Sequence, residues 1–209
     1  MTTEKFGVHT KFVPDYNNLI PTKPYTEDLD GLPVIHVRNV PLSSPVNKFI
    51  KRLVDIAGSI FFIILFSLPM LIVSALVKFT SDGPLIFKQK RIGLHNRAFN
   101  MYKFRSMRVQ NDADEKKAWT TMNDPRVTPV GKFIRSTSLD ELPQFFNVLK
   151  GDMSLVGPRP ERPFYVDKFK EEIPRYMVKH QVRPGITGWA QINGYRGDTS
   201  IEGRIDCDI

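Results

Sequence analysis

Two adjacent carboxylates, Asp140 and Glu141, follow an arginine, Arg135, in the stretch RSTSLDELPQ at residues 135–144. Neighbouring acids can act as nucleophile, as proton carrier or as ligands for a hard cation. Arg159 lies downstream in Gly157-Pro158-Arg159-Pro160, where the prolines restrict the backbone on either side of the guanidinium. An aspartate with an unperturbed pKa of about 3.9 is already ionised at neutral pH, so as a nucleophile it needs placement and charge screening but no partner base. For a pyrophosphate target, screening is decisive, because two unit charges ~4 Å apart repel by ~4 kcal/mol at an effective dielectric of ~20. Arg135 and Arg159 are the candidates to neutralise the phosphate oxygens. Glu141 is the candidate ligand for Mg²⁺, which keeps waters and takes one or two carboxylates plus substrate phosphates.

Each assignment has a plainer alternative. Ser138 and Glu141 also fit a capping box, with the serine capping a helix and the glutamate reaching back three residues. An exposed arginine pairs with any nearby acid. In either case Asp140 falls in or beside a first helical turn, whose positive end favours the ionised carboxylate.

The remaining composition narrows the chemistry. Cys207 is the one cysteine, which excludes an internal disulfide framework and a cysteine-held zinc site. The histidines, His9, His36, His95 and His180, show no H-x-x-x-H spacing for a metal. A formal charge of +8 and a pI near 9.6 call for an anionic partner: nucleic acid, phospholipid or a nucleotide. No basic-then-apolar secretion signal opens the chain.

The acids must be positioned by what surrounds them, and one element stands out. Residues 56–77 form a run of 22 without a charge, ~33 Å long as a helix and enough to reach across hydrocarbon. Lys48, Lys51 and Arg52 precede it, and Lys78, Lys88, Lys90 and Arg91 follow, so both flanks look cytoplasmic. Pro69 promotes a kink, and Ser67 is placed to satisfy a freed carbonyl. A helix that dips into one leaflet and returns is expected ahead of a simple span, and a buried core helix is the weakest reading. Residues 78–109 carry eight lysines or arginines against Asp82 alone. They suit anionic headgroups or an ordinary solvated face, and nucleic acid is disfavoured because no nucleic-acid motif accompanies them.

Elsewhere, strands are expected at 8–13, 33–40, 84–90 and 99–104, the last two around a turn at 93–96. Helices are expected at 129–135, at 139–149 with Gly151 as the stop, and at 164–172. Residues 111–121 read as a polar helix-prone segment. The rest is loop-rich, with Gly185, Gly188, Gly194 and Gly197 marking turns.

From residue 48 onward the chain resembles the bacterial sugar transferase family, the monotopic polyprenyl-phosphate phosphoglycosyl transferases. The motifs that carry the resemblance are KRLVD at 51–55, FKQKRIG at 87–93, YKFRSM at 102–107, the block NDPRVTPVGKFIRSTSLDELPQFFNVLKGDMSLVGPRPE at 123–161, and RPGITGWAQINGYRG at 183–197. The resemblance implies transfer of a sugar-1-phosphate, with glucose or galactose favoured, from a UDP-hexose to undecaprenyl phosphate with release of UMP. It implies that Asp140 is the nucleophile of a covalent phosphosugar intermediate, that Glu141 associates with magnesium, and that Arg135 and Arg159 handle phosphate. Lys103 and Arg105 either face the nucleotide phosphates or contact headgroups. Arg183 either meets the nucleotide end or stabilises a turn. Trp189 and Gln191 meet the nucleoside or the interface, or simply pack.

The expected fold is α+β. A re-entrant membrane helix at 48–78 is followed by a small, helix-rich and loop-rich catalytic domain at 79–209, truncated at its C-terminus relative to the family. Residues 1–47 read as the remnant of a preceding α/β nucleotide-fold domain. The implied location is the bacterial inner membrane, facing the cytoplasm, with inner-leaflet lipids as partners and no nucleic acid. A catalytically inactive, truncated membrane adaptor is the alternative function.

Overall fold

The computed structural model describes residues 25–36, 41–108, 125–197 and 199–208. The strand expected at 8–13 and the polar segment at 111–121 lie outside them. The chain divides into two compact units, Met1–Phe49 and Ile50–Ile209. In the first, β1 (Tyr25–Leu29) and β2 (Leu32–His36) pair antiparallel across a tight turn at Asp30 and Gly31, both at positive φ.

The apolar run folds as two helices, α1 (Pro45–Leu65) and α2 (Ser67–Thr80), meeting at 62°. The break is at Phe66, one turn ahead of Pro69, because a proline ring clashes with the carbonyl four residues earlier, here that of Leu65. Ser67 Oγ donates to the Ile64 carbonyl at 2.8 Å, one residue before the carbonyl that the proline frees. No single described helix is long and apolar enough to cross a membrane. The outward faces remain apolar, with Phe61, Ile64, Leu68, Leu71 and Phe79 exposed.

The inward faces hold the second unit together. Val73 and Val77 of α2 are buried with Phe104, Ile134, Leu142 and Phe145, and Phe62, Ile63 and Phe66 pack on that cluster. Asp55 is buried on α1, where its carboxylate accepts from Lys51 Nζ at 2.6 Å, Ser154 Oγ at 3.0 Å and the Leu155 amide at 3.1 Å.

The other elements are short. β3 (Ile86–Ile92) and β4 (Ala98–Phe104) form an antiparallel hairpin, near the positions read from the β-rich runs. Then come α3 (Pro129–Ser136), a 3₁₀ turn at Leu139–Glu141, α4 (Gln144–Lys150), β5 (Ser154–Val156), α5 (Pro163–Glu172), a 3₁₀ segment at Tyr176–Gln181, β6 (Gly185–Thr187), α6 (Trp189–Ile192) and α7 (Ile201–Asp208). β5 and β6 pair parallel. The mixture of helices and small sheets is α+β.

The single helix expected over 139–149 does not form. Ser138 takes a left-handed conformation, φ 60°, and Pro143 separates the 3₁₀ turn from α4. The capping box fails with it: Ser138 makes no side-chain cap, and Glu141 answers only through its backbone amide to the Ser138 carbonyl. Gly151 does stop α4, at φ 93°. Arg52 also caps that helix end from α1, donating to the Val148 and Leu149 carbonyls at 2.6 and 2.7 Å.

Candidate active site

The 3₁₀ turn lifts both acids into the wall of a cavity of about 630 Å³. Their positions are fixed from two sides. Asn147, fully buried on α4, accepts from the Tyr102 amide at 2.9 Å and donates to the Asn100 carbonyl at 2.8 Å, which locks the helix after the acids to β4. β4 then delivers Lys103, whose Nζ lies 2.8 Å from Glu141 Oε1 and 3.9 Å from Asp140 Oδ2. Arg159 approaches Glu141 Oε1 to 3.6 Å, and Arg196 approaches Oε2 to 3.5 Å. Arg196 also donates to Ser138 Oγ at 2.9 Å.

The two carboxyls are buried alike, at 7% and 9% exposure, yet they shift in opposite directions. For Asp140 burial wins and raises the pKa, while Lys103 opposes and Glu141 adds to the rise. The expectation that a helix end favours its ionised form is therefore corrected: a three-residue turn has little dipole, and desolvation outweighs it. For Glu141 burial also pushes upward, but Lys103, Arg159 and the Lys103 hydrogen bond together pull the pKa down to about 2. Burial lowers the pKa of Lys103, with both carboxylates opposing.

Nine lysines and arginines and three carboxylates line the cavity, so its unpaired charge is positive and its natural guest is an anion. The cations surround a concavity rather than run along an open face, which suits a nucleotide better than a duplex. Arg135 faces the cavity and lowers the Asp140 pKa by its charge. Arg105 is buried in the wall, its Nη2 tied to the Ser81 carbonyl at 2.5 Å, while Nε and Nη1 have no partner among the described residues. On the far wall Glu161 accepts from Arg204 at 2.6 Å, with Arg91 at 3.8 Å.

The structure thus brings Arg135, Asp140, Glu141, Arg159, Lys103 and Arg105 to one cavity. It does not bring Arg183 there. That guanidinium donates from Nε to the Gly151 carbonyl at 2.9 Å and stabilises the turn after α4, the second of the two readings. Trp189 packs against little, being 64% exposed. Arg196 was not singled out, although it sits in the YRG that ends the last motif. Arg204 and Glu161 were missed because a buried ion pair between residues 43 apart leaves no local pattern.

Among the described residues no three of His, Cys, Asp or Glu form a ready metal cage. Glu141 nevertheless offers hard carboxylate oxygens at the cavity wall, a donor that fits an ion completing its shell with water and phosphate.

The profile of the bacterial sugar transferase family matches residues 46–209. A UDP-glucose:undecaprenyl-phosphate glucose-1-phosphate transferase from Klebsiella pneumoniae is 46% identical over 202 residues, covering 95% of this chain and 43% of that protein. The protein of the same name from Escherichia coli strain K12 is 46% identical over 187 residues, 88% of this chain and 40% of that protein. A UDP-N-acetylgalactosamine-undecaprenyl-phosphate N-acetylgalactosaminephosphotransferase from Aeromonas hydrophila is 54% identical over 158 residues, 75% of this chain and 37% of that protein. The chain therefore spans about two-fifths of the length of these curated relatives.

Proposed function

The chain belongs to the bacterial sugar transferase family, and from that premise we propose that it transfers a hexose-1-phosphate from a UDP-hexose to undecaprenyl phosphate, releasing UMP. The observation that carries this reading is a buried aspartate, Asp140, whose neighbours supply both the screening and the charge contrast that attack on a diphosphate requires.

In the first half-reaction an Asp140 oxygen forms a bond to the sugar-bearing phosphorus, and the bond from that phosphorus to the bridging oxygen breaks. UMP leaves with the electron pair. In the second, an oxygen of the lipid phosphate bonds to the same phosphorus, and the carboxylate departs. No proton needs to be moved in either step. Arg135, Arg159 and Lys103 offset the meeting of negative charges, and Arg105, buried in the wall, adds its positive charge. A raised pKa makes Asp140 the more basic, more nucleophilic carboxylate, while Glu141 stays ionised. Mg²⁺, when bound with the donor, would neutralise diphosphate oxygens, and Glu141 is the residue to hold it.

The bent helix pair is read as re-entrant in the cytoplasmic leaflet of the inner membrane, with residues 48–78 embedded and 79–209 catalytic. The intact set of acids and cations speaks against an inactive adaptor. Glucose or galactose is the preferred sugar; the Klebsiella pneumoniae and Escherichia coli relatives, matched over 95% and 88% of this chain, are named for glucose.

The test is UMP release by the purified chain from UDP-glucose, UDP-galactose and UDP-N-acetylgalactosamine. Release is expected to require undecaprenyl phosphate and magnesium for turnover. Asp140→Asn is expected to lose it by at least ~10³-fold, as removal of a covalent nucleophile does. Full turnover by that variant would exclude Asp140 as the nucleophile.

A further inference from the structure

Glu141 also lines a second, smaller cavity. It measures about 310 Å³ and shares Ser138, Glu141 and Arg196 with the first. The linings differ in kind. Arg196 is its one lysine or arginine among the described residues, set against the apolar side chains of Leu142, Phe145, Ile186 and Ile192. A nucleoside diphosphate would leave most of its charge unanswered there, whereas a hydrocarbon chain headed by a single phosphate matches both parts of the lining.

Two further observations point to the same guest. The Phe145 ring stacks on Phe62 of α1 with centroids 5.3 Å apart, so one wall of the cavity is built on the bent helix pair whose outer face is apolar. On α6, Trp189 and Ile192 lie three residues apart on one helix face and are 64% and 67% exposed. Water disfavours such a pair, and an aromatic with a polar edge suits the boundary between lipid and water. At the other end, Arg196 meets Ser138 and Glu141, its partners among the described residues, through Nη2. A guanidinium has five N–H donors, so most remain for a phosphate.

We propose that this second cavity seats the acceptor: Arg196 holds the phosphate of a polyprenyl phosphate beside the acids, and Leu142, Phe145, Ile186 and Ile192 receive its first isoprene units. The donor nucleotide keeps the larger, cation-lined cavity. The assignment rests on the transferase reading and adds the route by which the second substrate arrives. It also fits a two-step exchange, because the cavities meet at Glu141, next to the atom that carries the sugar phosphate between steps.

Kinetics of the full chain in detergent micelles, with UDP-glucose and undecaprenyl phosphate varied separately, tests the proposal. In a two-step exchange the donor's kcat/KM reports the first half-reaction alone and the acceptor's reports the second. Ile192→Asp, at an exposed position that tolerates a charge without unfolding, is expected to lower kcat/KM for the acceptor at least ~10-fold, and Ile192→Leu to restore it. The donor's kcat/KM is expected to stay within ~2-fold in both variants. If the donor constant falls instead, or falls in step, the cavity belongs to the donor sugar and the proposal is overturned. If neither constant moves, it is overturned as well. Absence of UMP release by the unaltered chain with every UDP-hexose tried overturns the transferase reading beneath it.

Discussion

Asp140 and Glu141 divide one environment into two roles. Both are desolvated, which alone would raise both, but Lys103 sits 2.8 Å from Glu141 and 3.9 Å from Asp140. Arg159 and Arg196 approach Glu141 to 3.6 and 3.5 Å, whereas Arg135 and Arg196 act on Asp140 only by longer-range charge. Charge wins at Glu141 and burial wins at Asp140. A pH dependence follows with a definite sign. In the proposed mechanism Asp140 must be ionised to attack, and its pKa lies above the ordinary 3.8, so activity should fall on the acid side at a pH above that value. Lys103 holds the Asp140 pKa down against burial, so Lys103→Met should move the acid limb to higher pH as well as lower its plateau. A limb that stays in place while the plateau drops would mean that Lys103 serves the substrate and not the nucleophile. The sequence showed the two acids and the nearby arginines because they are adjacent or proline-flanked. It could not rank their pKa values, since the cation that separates them comes from a strand 38 residues away.

At the scale of elements, the site depends on close approach between backbones. Thr128 caps α3 by accepting from the Gly131 amide at 2.9 Å, and a Cβ added at Gly131 would stand 1.9 Å from the Ser106 carbonyl oxygen just beyond β4. Helix propensity alone would favour Gly131→Ala by ~1 kcal/mol. A clash with backbone outweighs that, since overpacking costs ~1–3 kcal/mol and a carbonyl cannot swing aside as a side chain can. The variant should therefore be less stable by ~1–2 kcal/mol in thermal unfolding. It should also turn over more slowly, because Arg135 rides the same helix one turn on. A more stable variant would show that α3 does not lean on that segment. α3, β3 and β4 were legible beforehand through local signals: a proline at a helix start and β-rich runs around a turn. The parallel pair β5–β6 was not. Each strand is three residues long, their register joins Ser154 to Gly185, and glycines at 157 and 185 let the backbones approach where a Cβ would lie 2.1–2.3 Å from main-chain atoms. The helix expected over 139–149 is divided because Pro143 has no N–H to bond back into the preceding turn, and the capping box fails because Ser138 adopts a left-handed conformation.

For the whole molecule, the question is what keeps the two helices of the apolar run bent. Pro69 removes one backbone hydrogen bond and clashes with the Leu65 carbonyl, a cost of ~3 kcal/mol to a straight helix. The core opposes straightening independently. Val73 and Val77 are almost fully buried against Phe104 and Ile134, while Phe62 of the first helix packs on Phe145 in the same cluster. A straight helix cannot keep both halves on that core. Withdrawing Val73 and Val77 alone would forfeit ~1.5–3 kcal/mol for each side chain, which matches or exceeds the proline's share. The apolar contacts should therefore hold the bend even when the proline is gone. Reporters at residue 47 and after Val77 should both register on the cytoplasmic side in the unaltered chain, and both should stay there in Pro69→Leu. Opposite compartments in the unaltered chain would exclude the re-entrant reading altogether. Opposite compartments only in the variant would show that the proline, rather than the packing of α2 beneath the active site, sets how the enzyme meets the bilayer.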